Sequence, residues 1–209
     1  SKCAAKHIGE FEHFVSRDAV NIVGLSSAKL ESLIDFGIIN DFKDLYHIEN
    51  EKEKIVNMEG FGEKSYENLR KNIEKSREIE PDHFLYALGI SEIGRSVSKD
   101  IINYLHGDFE KIFEMNEEDF TQINGIGEKM AKNLRKYFFN KEKFVKELMK
   151  EFNFNYSNDT TTTLTGLTFV ITGKLHIFEN RDILKKEIEK NGGKVSNSVS
   201  SKTNYLINN

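Results

Sequence analysis

Cysteine, proline and tryptophan are almost missing from this chain of 209 residues: it has one Cys, one Pro and no Trp. A lone cysteine, Cys3, excludes an internal disulfide framework and suits a reducing compartment. No apolar run approaches the length of a membrane span, and no secretory signal opens the sequence. The first residue is Ser1 rather than Met, which raises the expectation of a fragment. Catalytic patterns are also lacking. The six histidines are scattered and match neither a metalloprotease motif nor a triad. Gly173-Lys174 does not complete a phosphate loop, because Gly166 lies seven positions upstream and Leu175 stands where a magnesium-binding hydroxyl is needed. Cys3, His7 and His13 could face one metal, but no fourth ligand is in view. The net charge of −4 excludes a surface that is basic throughout, not local basic faces.

What the chain does have is a repeat. Met58-Glu59-Gly60-Phe61-Gly62-Glu63-Lys64 and Ile123-Asn124-Gly125-Ile126-Gly127-Glu128-Lys129 share the order apolar, x, Gly, apolar, Gly, Glu, Lys. Both continue to Asn-Leu, at Asn68-Leu69 and Asn133-Leu134. Glycines one residue apart allow a tight reversal. A helix beginning directly after them has no internal partners for its first N–H groups. Free amides at the positive end of a helix dipole form a small anion site. Lys64 and Lys129 fall in the first helical turn, where a cation disfavours the helix itself and hints at a neighbouring anion.

Weaker copies follow the same plan. Val23-Gly24-Leu25-Ser26 precedes a helical stretch over residues 27–36, and Gly89-Ile90-Ser91-Glu92-Ile93-Gly94 precedes another with Val97, Ile101, Ile102 and Leu105. Aligned at Ser26, Gly62, Gly94 and Gly127, the copies are 36, 32 and 33 residues apart. Each unit reads as helix, tight hairpin, helix. A tetratricopeptide array has a similar period but a different aromatic and small-residue pattern, and no glycine turn at each hairpin. Residues 1–20 show a helical stripe of Ala4, Ala5, Ile8, Phe11, Phe14 and Val15. Pro81 suits the first turn of the helix carrying Phe84, Leu85 and Leu88. The repeats' Phe and Tyr residues fall at core spacing rather than as stacking platforms. Basic residues gather behind the glycine turns. Lys129, Lys132, Arg135, Lys136, Lys141, Lys143 and Lys146 face a single acid, Glu142, in that span.

Residues 153–163 change character and read as a polar linker. Beyond them, residues 167–171 predict a buried strand ending at Thr172-Gly173. Ile183, Leu184 and Ile188 predict a helix stopped by Gly192-Gly193. Lys194-Val195 and Tyr205-Leu206-Ile207 predict two more strands. The expected fold class is mainly α: tandem helix-hairpin-helix units over residues 21–152, then a truncated α/β domain with a parallel sheet over residues 164–209.

The glycine turns resemble helix-hairpin-helix motifs. Four in tandem, after Cys3 and the segment His13-Phe14-Val15-Ser16-Arg17-Asp18-Ala19, resemble the C-terminal half of bacterial NAD-dependent DNA ligases. The second domain resembles a BRCT module in Thr172-Gly173, Gly192-Gly193 and the run from Ser200 to Ile207. The resemblance implies an enzyme that seals nicks in duplex DNA with NAD, magnesium and a structural zinc. It implies that amides at Gly60, Gly62, Gly94, Gly125 and Gly127 meet phosphates, with charge from Lys64, Lys129 and Lys132. Cys3 matches the family's last zinc ligand, in a site incomplete here, so no zinc is expected in this stretch alone. Residues 1–20 then comprise the end of that zinc segment and a leading helix. The adenylated lysine's Lys-x-Asp-Gly motif does not occur, so this stretch is expected to be inactive by itself. The location implied is the bacterial cytoplasm, on the nucleoid, with a protein partner possible at the BRCT-like part.

Departures from the family pattern are Ser26 in place of a glycine, a longer Gly89-to-Gly94 turn, and Tyr66 where alanine is usual. A phosphopeptide pocket at Thr172-Gly173 is not supported, since its basic partner is expected beyond Asn209. Two other classes stand beside the ligase reading. One is a protein-interaction scaffold of a DNA-repair complex without ligase activity. The other is a base-excision glycosylase, disfavoured because the next Asp after Gly127 is Asp159.

Overall fold

The computed structural model describes residues 2–156, 164, 166–173, 180–201 and 203–208, with the side chains of residues 2–6 and 190 outside that set. The chain forms two units, Ser1–Tyr156 and Ser157–Asn209.

The first unit is helical. Its order is α1 (Lys2–Val15), α2 (Ser27–Asp35), a 3-10 stretch (Phe42–Glu51), α3 (Lys52–Val56), α4 (Glu63–Ser76), β1 (Glu78–Ile79), α5 (Pro81–Ala87) and α6 (Arg95–Tyr104). A second 3-10 stretch (Phe109–Phe113), α7 (Glu117–Thr121), α8 (Glu128–Met149) and β2 (Asn153–Phe154) complete it. Successive helices pack in pairs, α1 with α2, α3 with α4, α5 with α6 and α7 with α8. Local chemistry sets the starts. Pro81 occupies the first turn of α5, where a missing N–H costs nothing. Asn116 and Asp119 form a reciprocal capping box on α7, and Asp41 and Asp44 do the same for the first 3-10 stretch.

One core joins the pairs. Phe11 and Phe14 of α1 are fully buried, and Phe14 stacks on Phe42 with ring centres 4.1 Å apart. Helix α8 supplies Ala131, Leu134, Phe138, Val145 and Leu148. Phe84 meets Phe109, Phe152 and Phe154 edge-on at 5.1–5.2 Å. This last cluster corrects the expected linker. Residues 153–156 belong to the helical unit: β2 pairs in parallel with β1, and Phe154 and Tyr156 pack on the core. The half-buried rings of Phe154 and Tyr156 outweigh the polar Asn153 and Asn155 that alternate with them.

Arg77, at the end of α4, ties three segments together. It donates to the Glu151 carboxylate at 2.8 Å and the Glu151 carbonyl at 3.0 Å. It also donates to the Tyr46 carbonyl at 2.9 Å, with its guanidinium 4.9 Å from the Tyr46 ring centre. Burial alone would raise the Glu151 carboxyl pKa, but hydrogen bonds from Arg77 and His47 reverse that and hold it below the ordinary value. Burial pushes the Tyr46 hydroxyl up.

The second unit holds β3 (Thr168–Ile171), α9 (Arg181–Lys190), β4 (Lys194–Ser196) and β5 (Tyr205–Ile207). The sheet is parallel, in the order β4-β3-β5. Helix α9 ends as expected at its glycines. Gly192 takes φ 82°, and the Gly193 and Gly192 amides donate to Ile188 and Glu189 at 2.9 and 3.0 Å. A Cβ on Gly193 would lie 2.7 Å from Ile188 and 3.1 Å from Phe169, so the helix closes on the sheet only over a glycine. Among the described residues, no helix is long and apolar enough to cross a membrane.

Arg77→Ala is expected to lower unfolding free energy by about 2–3 kcal/mol, because it strands a largely buried carboxylate. Glu151 titrates below its unfolded value of about 4.3. Its contribution is therefore complete above that pH and lost as pH falls through the folded value. The stability gap between wild type and Glu151→Gln, read by urea unfolding, should shrink below about pH 4.

Candidate nucleic-acid interface

Ser26, Gly62, Gly94 and Gly127 are the N-cap residues of α2, α4, α6 and α8. The residue two positions before each has a positive φ: Gly24 at 102°, Gly60 at 79°, Glu92 at 70° and Gly125 at 85°. In the last three hairpins an amide closes the turn on the carbonyl three residues back. These bonds are Phe61 to Met58 at 3.1 Å, Ile93 to Ile90 at 3.0 Å and Ile126 to Ile123 at 3.1 Å. That combination is a type II turn, whose third residue must be left-handed. The apolar residue after it then turns inward, Ile93 and Ile126 buried and Phe61 half-buried.

Two expectations change at this level. The third hairpin is not longer than the others. Gly89 ends α5 with φ 64° and donates to Tyr86 at 3.1 Å, and the hairpin turn itself runs from Ile90 to Ile93. Its left-handed residue is Glu92, which sequence reasoning missed because a glutamate there costs on the order of 1 kcal/mol. Second, the glycines differ in why they are glycines. Gly60 and Gly125 satisfy backbone angles. Gly62 is extended at φ 169°, and Gly94 and Gly127 take φ −88° and −89°. Any residue adopts those angles, so the missing side chain must serve another purpose.

That purpose lies at the helix starts. Ser26 caps α2 itself, its hydroxyl accepting from the Lys29 amide at 3.4 Å. No side chain caps α4, α6 or α8. The first amides of each therefore lack intrahelical partners and point outward with the helix dipole. A Cβ built on Gly60, Gly62, Gly94, Gly125 or Gly127 would meet nothing within 4 Å. All five are exposed except Gly62, which is half-buried. The ground before three helix N-termini is open.

Side chains surround these starts unevenly. Lys64 and Lys132 are exposed. Lys129 is paired with Glu92 across the third and fourth hairpins, although it is 79% exposed, so the pair is weak and exchangeable. Lys29, not anticipated, donates to Ser65 in the first turn of α4 at 2.8 Å and lies 4.9 Å from the Phe61 ring centre. Asn72 of α4 donates to the Val23 carbonyl at 2.8 Å. The first two hairpins are thereby stitched together, as the last two are by Glu92 and Lys129. Arg95, the first residue of α6, donates to Asp82 at 3.0 Å, while its Nη1 is buried without a partner. Ser98, fully buried one turn later, likewise leaves its hydroxyl unpartnered.

Metal-binding candidates are weak by comparison. The side chain of Cys3 lies outside the described residues. His13 is committed, its Nε2 donating to the Tyr86 carbonyl at 2.7 Å. Glu80, Asp82 and His83 bring ligand-type atoms within 4.8 Å of one another. Asp82, however, already holds Arg95, and His83 Nδ1 donates to the Asp18 carbonyl at 2.9 Å. In the second unit, the Thr172 hydroxyl is held by the Ile207 carbonyl at 3.3 Å and Asn208 at 3.2 Å.

Comparison with known proteins agrees with this division. Residues 83–146 match the helix-hairpin-helix motif family, and residues 159–208 match the BRCA1 C Terminus (BRCT) domain. The whole chain is similar to a DNA ligase of Lachnoclostridium phytofermentans, 44% identical over 212 residues, which are 100% of this chain and 32% of the relative. A DNA ligase of Ruminiclostridium cellulolyticum is 43% identical over 213 residues, again 100% of this chain and 32% of the relative. One from Fusobacterium nucleatum is 41% identical over 99% of this chain and 31% of its own length. The chain thus spans about a third of the length of the curated relatives it matches. It is homologous to DNA ligases along its whole length and carries helix-hairpin-helix and BRCT domains.

The two glycine roles separate by mutation. Gly60→Ala and Gly125→Ala should each cost about 1 kcal/mol of stability, because alanine is strained at positive φ. Gly62→Ala and Gly127→Ala should stay within about 0.5 kcal/mol of wild type. Thermal melts of the four variants check both outcomes.

Proposed function

We propose that this chain is the DNA-holding part of a DNA ligase and grips duplex DNA by its phosphates. The observation that carries the proposal is the set of three uncapped helix N-termini, each behind an open turn, in a chain homologous throughout to DNA ligases. Amides after Gly62, Gly94 and Gly127 donate to phosphate oxygens at ordinary hydrogen-bond distance. Lys64 and Lys132 add charge, and Lys129 joins them by exchanging Glu92 for phosphate. Contacts of this kind position a protein without reading bases. An enzyme that seals nicks wherever they fall needs that indifference to sequence.

The sealing chemistry belongs to the whole protein. It uses NAD to adenylate a lysine and then the 5′ phosphate, with magnesium. The Lys-x-Asp-Gly motif that carries it is not in this sequence, so this chain alone holds DNA and does not join it. Cys3 supplies one thiolate to a zinc site whose other ligands lie elsewhere in that protein. The BRCT-like unit offers a docking surface for a protein partner. The working location is the nucleoid of a bacterial cytoplasm.

Fluorescence anisotropy with nicked duplexes of two unrelated sequences tests this reading. Affinity should fall along the same log–log slope for both as salt rises from about 50 to 200 mM. Gly62→Val combined with Gly127→Val places methyl groups where phosphate oxygens sit. It should weaken binding at least about tenfold, the loss of roughly one charge-assisted hydrogen bond. A folded double variant that binds as wild type does, or binding confined to one sequence, would refute the proposal.

A further inference from the structure

Helix α8 carries a feature that the hairpin turns do not use. Phe139 is 71% exposed, one of the barest large apolar side chains among the described residues. It lies at the centre of a helical stripe. Lys132, Arg135 and Lys136 precede it by seven, four and three positions, and Lys143 follows by four, so all share its face. The Arg135 guanidinium lies 5.5 Å from the Phe139 ring centre. Lys132, Lys136 and Lys143 are exposed. Glu142, three positions beyond Phe139 on the same face, is held by Lys146 at 2.6 Å, and Glu147, four positions beyond Lys143, is held by Lys150 at 2.7 Å. Glu128 lies one turn before Lys132, at the start of the helix.

An exposed aromatic ring set among cations is the composition that holds a nucleic-acid strand by charge and stacking together. The geometry points to the α8 stripe as a second nucleic-acid contact, in which Arg135, Lys136 and Lys143 follow one strand's phosphates while Phe139 packs against its sugars or an unstacked base. The reading rests on the proposed DNA-holding function and extends it. Charge complementarity selects the occupant: the two acids of this stretch are each held by a further lysine, Lys146 and Lys150, so cations remain in excess and the partner is a polyanion. Continuity selects nucleic acid, because the stripe begins one turn beyond the open helix start at Gly127. From Lys132 to Lys143 the stripe is roughly 16 Å long, the axial span of about five phosphates of one strand. An aromatic ring among such cations adds a contact independent of base sequence.

The salt dependence separates the two kinds of contact. Phe139→Ala should weaken binding to nicked duplex about tenfold and leave the log–log salt slope unchanged, because no phosphate contact is removed. Lys136→Gln with Lys143→Gln should lower the slope by about 1.8, two counterions at 0.9 each. Both sets of positions are exposed, so melting temperatures should hold. If wild type binds DNA and the glycine variants lose binding, yet Phe139→Ala and the lysine variant bind normally, the stripe is not a contact while the hairpin reading stands. If wild type binds no DNA, both readings fall. Loss of poly-glutamate binding in Phe139→Ala, with DNA binding intact, would assign the stripe to an acidic protein and overturn the inference.

Discussion

A helix that starts on glycine has no side chain with which to satisfy its own first amides. That omission occurs three times here, at Gly62, Gly94 and Gly127, and in each case a type II turn delivers the chain to it. The turn requires a left-handed residue, which fixes Gly60 and Gly125 and strains Glu92. The apolar residue between turn and cap locks the turn to the core. The position that remains free to vary sterically is the N-cap, and there the chain keeps a hydrogen atom. Stability would favour serine or aspartate at such a cap. The first hairpin shows that alternative with Ser26, whose hydroxyl occupies the amide that an anion would need.

The rest of the helical unit keeps those starts in fixed relation. Lys29 to Ser65 and Asn72 to Val23 join the first two hairpins, and Glu92 to Lys129 joins the last two. Helix α8 carries the core through Leu134, Phe138 and Val145 while Lys132, Lys136 and Lys143 stay exposed. The Arg77 cluster closes the unit by tying the end of α4 to Tyr46 and Glu151, and the short β1-β2 pair lies beside it. The Glu92 to Lys129 pair lies on the third turn itself and its lysine is exposed, so it can exchange its partner without disturbing the core.

Much of this was legible in the residues because the repeat is itself a physical pattern. Aligning Ser26, Gly62, Gly94 and Gly127 located four N-caps, since a glycine pair before an apolar helical stripe has few other uses. The third hairpin misled because its left-handed residue is a glutamate, and Gly89, five residues upstream of Gly94, serves a different helix end. The sequence also does not show that Gly62 and Gly127, unlike Gly60 and Gly125, need no special backbone angle. Backbone freedom and side-chain absence look identical in a sequence, and only φ separates them. The polar run after Phe152 concealed a strand because two paired residues carry no period. Phe139 concealed itself among core aromatics, since its neighbour Phe138 is 1% exposed and periodicity alone does not say which of two adjacent rings faces water.

The central claim is about amides, so the most direct measurement observes them. In a titration of the isotopically labelled chain with nicked duplex, amide resonances of residues 62–65, 94–97 and 127–130 should shift and slow in hydrogen exchange. Those of residues 26–29, where Ser26 already caps the helix, should not. Perturbations at the Ser26 helix start, or in residues 164–208 alone, with the three glycine starts silent, would contradict the account.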